Sequence, residues 1–201
     1  MLFTQDDESA ANDAVMRAMF EARKRVFVDL LGWDLAVLAG QYEVDQYDDA
    51  HARYLILADT DHRHLASARL LPTTRPHILG QLFPELCAAA PPTGRHSWEI
   101  TRFCLDRGLR AAERRRWRNA LVAGLAHYAL EHQITTYTGV AEKSWLDQIL
   151  AFGWDAAPLG PPRIIGGMTL GALRIEIRPD TPALLAANGI VAPVELEAEA
   201  A

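Results

Sequence analysis

The segment Trp98-Glu99-Ile100-Thr101-Arg102-Phe103 constrains the fold more than any other stretch of the chain. Trp, Ile, Thr and Phe favour a pleated, half-buried surface, so the segment reads as a strand. Successive side chains of a strand face opposite ways. Glu99, Thr101 and Phe103 are therefore expected on one face, and Trp98, Ile100 and Arg102 on the other. Apolar residues on both faces mark a central strand covered on both sides. A charge on each face of such a strand is costly unless each finds a partner. The pair is read either as structural ion pairs or as groups kept for chemistry or ligand binding.

The 201 residues suffice for one sizeable α/β domain. A formal net charge of -6 argues against a nucleic-acid binder, which is more often basic. Cys87 and Cys104 make neither a disulfide framework nor a CxxC metal site. A reducing cytoplasm is the expected compartment. The segment from Met1 to Asp13 is acidic, lacks an apolar core and does not read as a signal peptide. No apolar run reaches membrane-spanning length, so no membrane is expected as a partner.

A first helix is expected from Ser9 to Val28. At about 100° per residue, Ala22, Val15, Val26, Met19, Met16, Phe27 and Phe20 form one apolar sector. Arg23 falls in the middle of it. Either it meets an anion there or it snorkels from the sector's edge. Asp29 to Asp49 is loop-like. Arg53–Ala58 and Leu65–Leu71 read as a hairpin joined through Asp59-Thr60-Asp61-His62. Arg69 lies within its second strand, and Pro72 to Pro76 ends it. A short helix over Ile78–Ala88 precedes the central strand, His96–Leu105. A long helix follows over Ala111–His132, then a strand over Ile134–Val140 and a helix from Glu142 to Phe152. Strands at Arg163–Ile165 and Thr169–Ile177 come next, with Asp180 as cap of a last helix ending at Ala187. Residues 195–201 read as a frayed tail. Hairpins first and a strand–helix–strand unit later predict a mixed three-layer α/β fold.

Several chemistries are excluded. The chain has no G-x-S-x-G elbow and no P-loop. His127 and His132 do not share a helix face, and His62 and His64 sit at a turn, so no zinc site is expected. Asp45, Asp48 and Asp49 suit a hard cation, but no second acidic motif answers them, and no metal is expected. Arg110, Arg114, Arg115, Arg116 and Arg118 crowd the start of the long helix, where basic charge opposes the dipole. They read as a solvated surface or as a dock for an acidic partner. The remaining inventory is ionic: Arg23, Arg69, Arg102 and Glu99, with Asp45 and Asp48, beside the aromatic Phe27 and Trp33. Such a set suits a zwitterionic or sulfonium ligand, since arginine forks grip carboxylates and aromatic faces attract cations.

The pieces Arg23-Lys24-Arg25-Val26-Phe27, Leu31-Gly32-Trp33, Glu43-Val44-Asp45-Gln46-Tyr47-Asp48, Arg69-Leu70-Leu71-Pro72-Thr73-Thr74 with Pro76, and Glu99-Ile100-Thr101-Arg102-Phe103 together resemble the acyl-homoserine-lactone synthases, the autoinducer synthases of bacterial quorum sensing. Order and spacing match from Arg23 to Phe103. The positions Arg23, Phe27, Trp33, Asp45, Asp48, Arg69, Glu99 and Arg102 correspond to residues commonly fixed in that family. The second half is similar only in layout. The resemblance implies a GNAT-like three-layer α-β-α sandwich whose mixed central sheet is splayed. The acetyltransferase phosphate loop is not evident between Leu105 and Trp117; Arg107-Gly108-Leu109 only hints at it.

It also implies one synthase domain over residues 1–201, with 1–50 a mobile part that binds S-adenosylmethionine. That molecule is a substrate, so no cofactor is expected. Its partner substrate is an acyl thioester on acyl carrier protein or coenzyme A. By resemblance Glu99 and Arg102 are catalytic. Arg23, Phe27, Trp33, Asp45, Asp48, Arg69 and Arg102 bind S-adenosylmethionine. Thr138, Trp145, Leu146, Ile149 and Met168 line the acyl pocket, with core packing as the plain alternative. Arg114, Arg115, Arg116 and Arg118 dock the carrier. A GNAT-type N-acyltransferase acting on another amine and a non-catalytic small-molecule-binding regulatory module are the competing readings.

Overall fold

The structure is a computed structural model and describes residues 2–3 and 10–191. In chain order its elements are β1 (Leu2–Phe3), α1 (Ala10–Arg23), a π-helical turn (Lys24–Val28), β2 (Val37–Leu38), β3 (Tyr42–Glu43), β4 (Arg53–Ala58), β5 (His64–Pro72), α2 (Ile78–Leu82), a 3-10 turn (Pro84–Leu86), β6 (Ser97–Leu105), α3 (Ala111–Glu131), β7 (Thr136–Glu142), α4 (Lys143–Leu150), β8 (Asp155–Pro158), β9 (Arg163–Ile165), β10 (Met168–Glu176) and α5 (Thr181–Ala187). The chain forms two compact units. The first holds the described residues of Met1–Arg69 with Arg102–Gly124; the second holds Leu70–Thr101 and Leu125–Val191.

In the first unit the strand order is β1-β4-β5-β6. β1 pairs antiparallel with β4, Leu2 opposite Leu57. The β4–β5 hairpin closes through Asp59 N–H to the Arg63 carbonyl, and the Asp59 carboxylate accepts the N–H groups of Asp61 and Arg63. Tyr54 to Ala58 are all buried, as expected for a strand covered on both faces. The apolar stripe of α1, with Val15, Met19 and Ala22 fully packed, lies against β3 and β4. In the same unit the small Gly124 of α3 stands over Leu55.

In the second unit the order is β5-β6-β7-β10-β8, with β9 on β10. β6 and β7 run parallel, Ser97 opposite Thr136, Trp98 opposite Tyr137 and Glu99 opposite Thr138, and the register ends there. The faces of β7 are separable. Tyr137 donates its hydroxyl to the Leu125 carbonyl of α3, which assigns Tyr137, Gly139 and Ala141 to the α3 face. Ala141 opposes Gly171 of β10, and a Cβ on Gly171 would stand 2.5 Å from Leu146 Cδ2. So α4 packs on the α3 face. The other face meets α2: Leu79 and Leu86 pack with Leu170 and Ala172 of β10 and with Val140.

The structure departs from the expectations above in identifiable places. The first helix does not run as α-helix to Val28; after Arg23 it widens to a π turn, with Asp29 N–H bonded to the Lys24 carbonyl. The loop from Asp29 to Asp49 contains the β2–β3 ladder, Val37 opposite Glu43. The helix expected over Ile78–Ala88 breaks at Phe83, because Pro84 disfavours helical backbone in the residue before it. β8 was not expected; it is short and ends in Pro158, so it carries no alternating signal. Asp180 precedes α5, but its side chain makes no capping hydrogen bond; Thr181 Oγ1 accepts the Arg178 N–H instead. Phe103 does not share the buried face of Glu99. Arg102 has φ 49°, which puts a bulge in β6, and burial passes from Thr101 to Cys104. Ser9 and residues 195–201 lie outside the described residues. Among the described residues no helix is long and apolar enough to cross a membrane.

His64 on β5 is 4% exposed and shares a 2.8 Å hydrogen bond with Ser67 Oγ. Burial holds its imidazole down at about 4. The unfolded chain titrates near pH 6.5 and binds the proton first. Stability from this group is therefore complete above pH 6.5 and declines as pH falls toward 4, by roughly 3 kcal/mol in all. Denaturant melts at pH 7 and pH 5 should show a drop in the wild type that His64→Gln largely removes; equal drops in both proteins would contradict the assignment.

Candidate functional site

Arg23 ends α1 on its buried stripe and is 0% exposed. Three segments supply its surroundings within the same unit. β3 delivers Glu43, also 0% exposed. The following turn folds on itself, Asp48 N–H to the Asp45 carbonyl and Asp45 N–H to Asp48 Oδ2, and so aims both carboxylates. β5 contributes Arg69, and the bulge of β6 re-aims Arg102.

The resulting lattice is closed. Arg23 Nε donates to Glu43 Oε2 at 2.5 Å, and its two terminal nitrogens grip both Asp48 oxygens at 2.8 and 2.9 Å. Arg69 grips both Asp45 oxygens at 2.6 and 3.0 Å and reaches Asp48 Oδ1 at 2.8 Å. Arg102 donates to Glu43 Oε1 at 3.0 Å and to Asp45 Oδ2 at 2.8 Å. Tyr54 hydroxyl donates to Asp48 Oδ1 at 2.7 Å. Forked guanidinium–carboxylate pairs of this kind fix orientation as well as charge.

Burial alone would lower the arginine pKa values and raise that of Asp48. The ion pairs outweigh it: Asp48 and Glu43 hold Arg23 above its ordinary value, Asp45 and Asp48 do so for Arg69, and Arg23 holds Asp48 well below the carboxylate range. Burial and then the Asp48 charge push the Tyr54 phenol up. The sign for Asp48 is that of a paired carboxylate: its contribution to stability is present above the unfolded value near 4 and is lost as pH falls further.

Aromatic rings line this lattice. The Arg102 guanidinium lies 5.6 Å from the Phe27 ring centre, and Trp33 stacks on Phe27 at 5.0 Å and 19°. The π turn sets this stack, with Trp33 N–H bonded to the Phe27 carbonyl at 2.9 Å. Arg23 lies 5.0 Å from the Phe20 centroid and Arg69 5.8 Å from that of Tyr47. All the expected S-adenosylmethionine residues, Arg23, Phe27, Trp33, Asp45, Asp48, Arg69 and Arg102, thus gather in the first unit. Sequence reasoning passed over Glu43, which bridges Arg23 and Arg102, and Tyr54. The signal was present as Glu43-x-Asp45-x-x-Asp48, a strand end running into an acidic turn.

Glu99 belongs to the second unit and is 0% exposed. Its oxygens accept the N–H groups of Ile78 and Leu79, each at 2.8 Å, at the start of α2. Thr138 opposes it on the same face and is 1% exposed. The expected acyl-pocket residues do not all come together. Thr138 is on the α2 face, whereas Leu146 packs over Gly171 on the α3 face. Trp145 meets Phe152 edge-on at 5.7 Å, and the Ile149 carbonyl accepts the Trp154 indole N–H. Met168 is partly exposed, opposite Ile165. At the start of α3, Arg114, Arg115 and Arg116 are exposed and Arg118 is half-buried against Asn119. Among the described residues no group of His, Cys, Asp or Glu is arranged to hold a metal ion.

Comparison with known proteins decides what this constellation belongs to. The family described as autoinducer synthase matches residues 7–181. The chain belongs to the autoinducer synthase family. The synthase is 34% identical to an acyl-homoserine-lactone synthase of Ralstonia nicotianae, over 88% of this chain and 89% of that one. It also resembles the solved structure of BjaI, a coenzyme-A-dependent acyl-homoserine lactone synthase with S-adenosylmethionine and isopentyl-CoA, at TM-score 0.82 and 28% identity, covering 95% and 92% of the two chains. An acyl-CoA N-acyltransferase from Pseudomonas aeruginosa, at TM-score 0.55 and 16% identity over 87% and 98%, shares the fold alone. The synthase therefore has the GNAT-like α/β architecture expected from its sequence, with parallel and antiparallel strands in one mixed sheet.

Removing one member of a buried ion-pair lattice leaves its partners desolvated, at a cost of about 3–5 kcal/mol. Glu43→Gln should lower the melting temperature by roughly 10 °C. Lys143→Ala, which breaks an exposed pair with Asp147, should change stability by under about 0.5 kcal/mol. Calorimetric melts of both variants check this; equal effects would show that the lattice carries no special weight.

Proposed function

We propose that the chain makes quorum-sensing signals as an acyl-homoserine-lactone synthase. It transfers an acyl group from a thioester of acyl carrier protein or coenzyme A to the amine of S-adenosylmethionine, then closes the lactone. The observation that carries this reading is the closed lattice of Arg23, Glu43, Asp45, Asp48, Arg69 and Arg102 beside the stacked Phe27 and Trp33. It is a rigid, ionically patterned wall with an aromatic face, suited to a ligand that carries ammonium, carboxylate and sulfonium together.

In this reading Phe27 and Trp33 face the sulfonium and keep the methionine moiety curled. Arg23, Arg69 and Arg102 hold Asp45 and Asp48 in place around the ligand's polar end. Glu99 takes the proton from the amine, directly or through one water. The nitrogen lone pair attacks the thioester carbonyl; the C–N bond forms, the C–S bond breaks and the thiol leaves protonated. Backbone N–H groups where the β6–β7 ladder ends receive the oxyanion. The ligand's carboxylate oxygen then displaces methylthioadenosine from the γ-carbon, closing the ring, a step helped by the enforced curl. Thr138, Trp145, Leu146, Ile149 and Met168 contact the acyl chain at different points along it. Arg114, Arg115, Arg116 and Arg118 meet the acidic carrier protein or the coenzyme A phosphates. S-adenosylmethionine is consumed as a substrate, and no cofactor is needed. The use of S-adenosylmethionine and an acyl thioester supports a bacterial cytoplasmic location.

Mass spectrometry of the protein incubated with S-adenosylmethionine and a panel of acyl thioesters should detect N-acyl-homoserine lactone and methylthioadenosine together. Acyl transfer without methylthioadenosine would favour an N-acyltransferase acting on another amine. Glu99→Gln should lower turnover about a hundredfold or more while the protein stays folded; near-normal turnover would remove Glu99 from the base role. Trp33→Ala should raise KM for S-adenosylmethionine more than for the acyl donor.

A further inference from the structure

We propose that Asp106 is a positioning residue for S-adenosylmethionine: through Arg25 it holds the π turn in the register that presents Phe27 to the ligand. The inference rests on the reading of the chain as an acyl-homoserine-lactone synthase whose Phe27–Trp33 stack receives that substrate. The π turn, the end of β6 and the start of α3 all lie in the first unit.

A π turn is rare, and such turns recur at functional sites. Its wide hydrogen bonds run here from Asp29 N–H to the Lys24 carbonyl at 3.1 Å and from Leu31 N–H to the Val26 carbonyl at 3.0 Å. Relaxation to α-helical register would slip the turn by one residue, and one residue rotates a side chain by about 100°. Phe27 would then leave Ala22 and Cys104, against which it packs, and lose its stack with Trp33. Two contacts with the end of β6 oppose that slip. Phe27 itself packs on Cys104. Two residues further on, Asp106 Oδ2 accepts a hydrogen bond from Arg25 Nη2 at 3.3 Å.

Asp106 is held on every other side. Its N–H is bonded to the Leu65 carbonyl of β5 at 3.0 Å, and its Oδ1 accepts the Gly108 N–H at 2.8 Å. Its carbonyl accepts the Leu109 N–H at 3.3 Å and Arg114 Nη1 at 3.0 Å. Exposed ion pairs are weak partly because two mobile side chains must be ordered together. Here one partner is ordered beforehand, so the contact fixes Arg25 and the turn that carries it. The Arg25 and Asp106 side chains are 44% and 23% exposed. They share no bond with the buried lattice of Arg23, Arg69 and Arg102, so the pair can be broken without opening that lattice.

Arg25→Gln and Asp106→Asn, singly and together, test this, with Arg25→Lys beside them. Asparagine keeps an oxygen for the Gly108 N–H and removes only the charge. The readouts are kcat, KM for both substrates and the melting temperature. Each single variant should raise KM for S-adenosylmethionine about three- to fivefold. It should leave kcat and donor KM within about 1.5-fold, the pattern of lost ground-state binding. The double variant should match the singles, because one shared contact is broken in all three. Arg25→Lys should stay near the wild type, since a single donated bond is made. Unchanged KM for S-adenosylmethionine in folded variants would overturn the proposal. So would a double variant whose effect is the product of the two singles, which would show independent contributions. A rise confined to donor KM would overturn it by placing Arg25 in the carrier dock. Equal rises in both KM values with a lowered melting temperature would make the pair structural only. A wild type that forms no lactone from any donor would instead overturn the synthase reading itself, and the inference with it.

Discussion

The fold of the first unit depends on the buried contact of Arg23 with Glu43 and Asp48. A guanidinium at the end of α1 is taken out of water entirely, which only a full set of oriented acceptors makes tolerable. Those acceptors lie on a short strand and a turn that have little apolar surface of their own. The arginine therefore orders β3 and the Asp45–Asp48 turn, and through Glu43 and Asp45 it reaches Arg69 and Arg102 on β5 and β6. Well-packed hydrophobic residues would stabilise such a junction as well or better. What the charged version adds is direction: every fork has one geometry in which all its bonds are made.

A single backbone conformation lets β6 serve two purposes. Up to Thr101 the strand alternates regularly and presents Glu99 to α2. At Arg102 the backbone turns left-handed, an arrangement uncommon for a residue with a Cβ. The alternation slips there, so Cys104 and not Phe103 is buried, packed with Ala22 and Phe27. Burial pushes the Cys104 thiol up to about 12, so it acts as a small apolar filler. The same slip sends the Arg102 guanidinium over Phe27 and into the carboxylates.

The parts of this arrangement visible in the sequence are those governed by periodicity. Arg53–Ala58 and Arg163–Ile165 alternate or run apolar between clear turn residues, and their bounds match the structure. The anomaly of Arg23 in an apolar sector pointed to a buried anion, and the lattice supplies it. Local spacing could not show what depends on distant partners. Nothing in Glu43 alone distinguishes a surface carboxylate from a bridge between arginines far along the chain. The bulge at Arg102 has no glycine to announce it, and strict alternation placed Phe103 on the wrong face. Thr138 shares a face with Glu99 through a three-residue parallel register, which no single-strand pattern reveals.

The Arg102 fork ties the charged lattice to the Phe27–Trp33 wall proposed to receive S-adenosylmethionine. Calorimetric titration of S-adenosylmethionine into the wild type and into Arg102→Lys tests it most directly. Lysine keeps the charge but loses the fork that joins Glu43 to Asp45 and lies over Phe27. The wild type should bind clearly and the variant at least about tenfold more weakly, a difference of about 1.4 kcal/mol, with the fold retained. Equal affinity in a folded variant would contradict it.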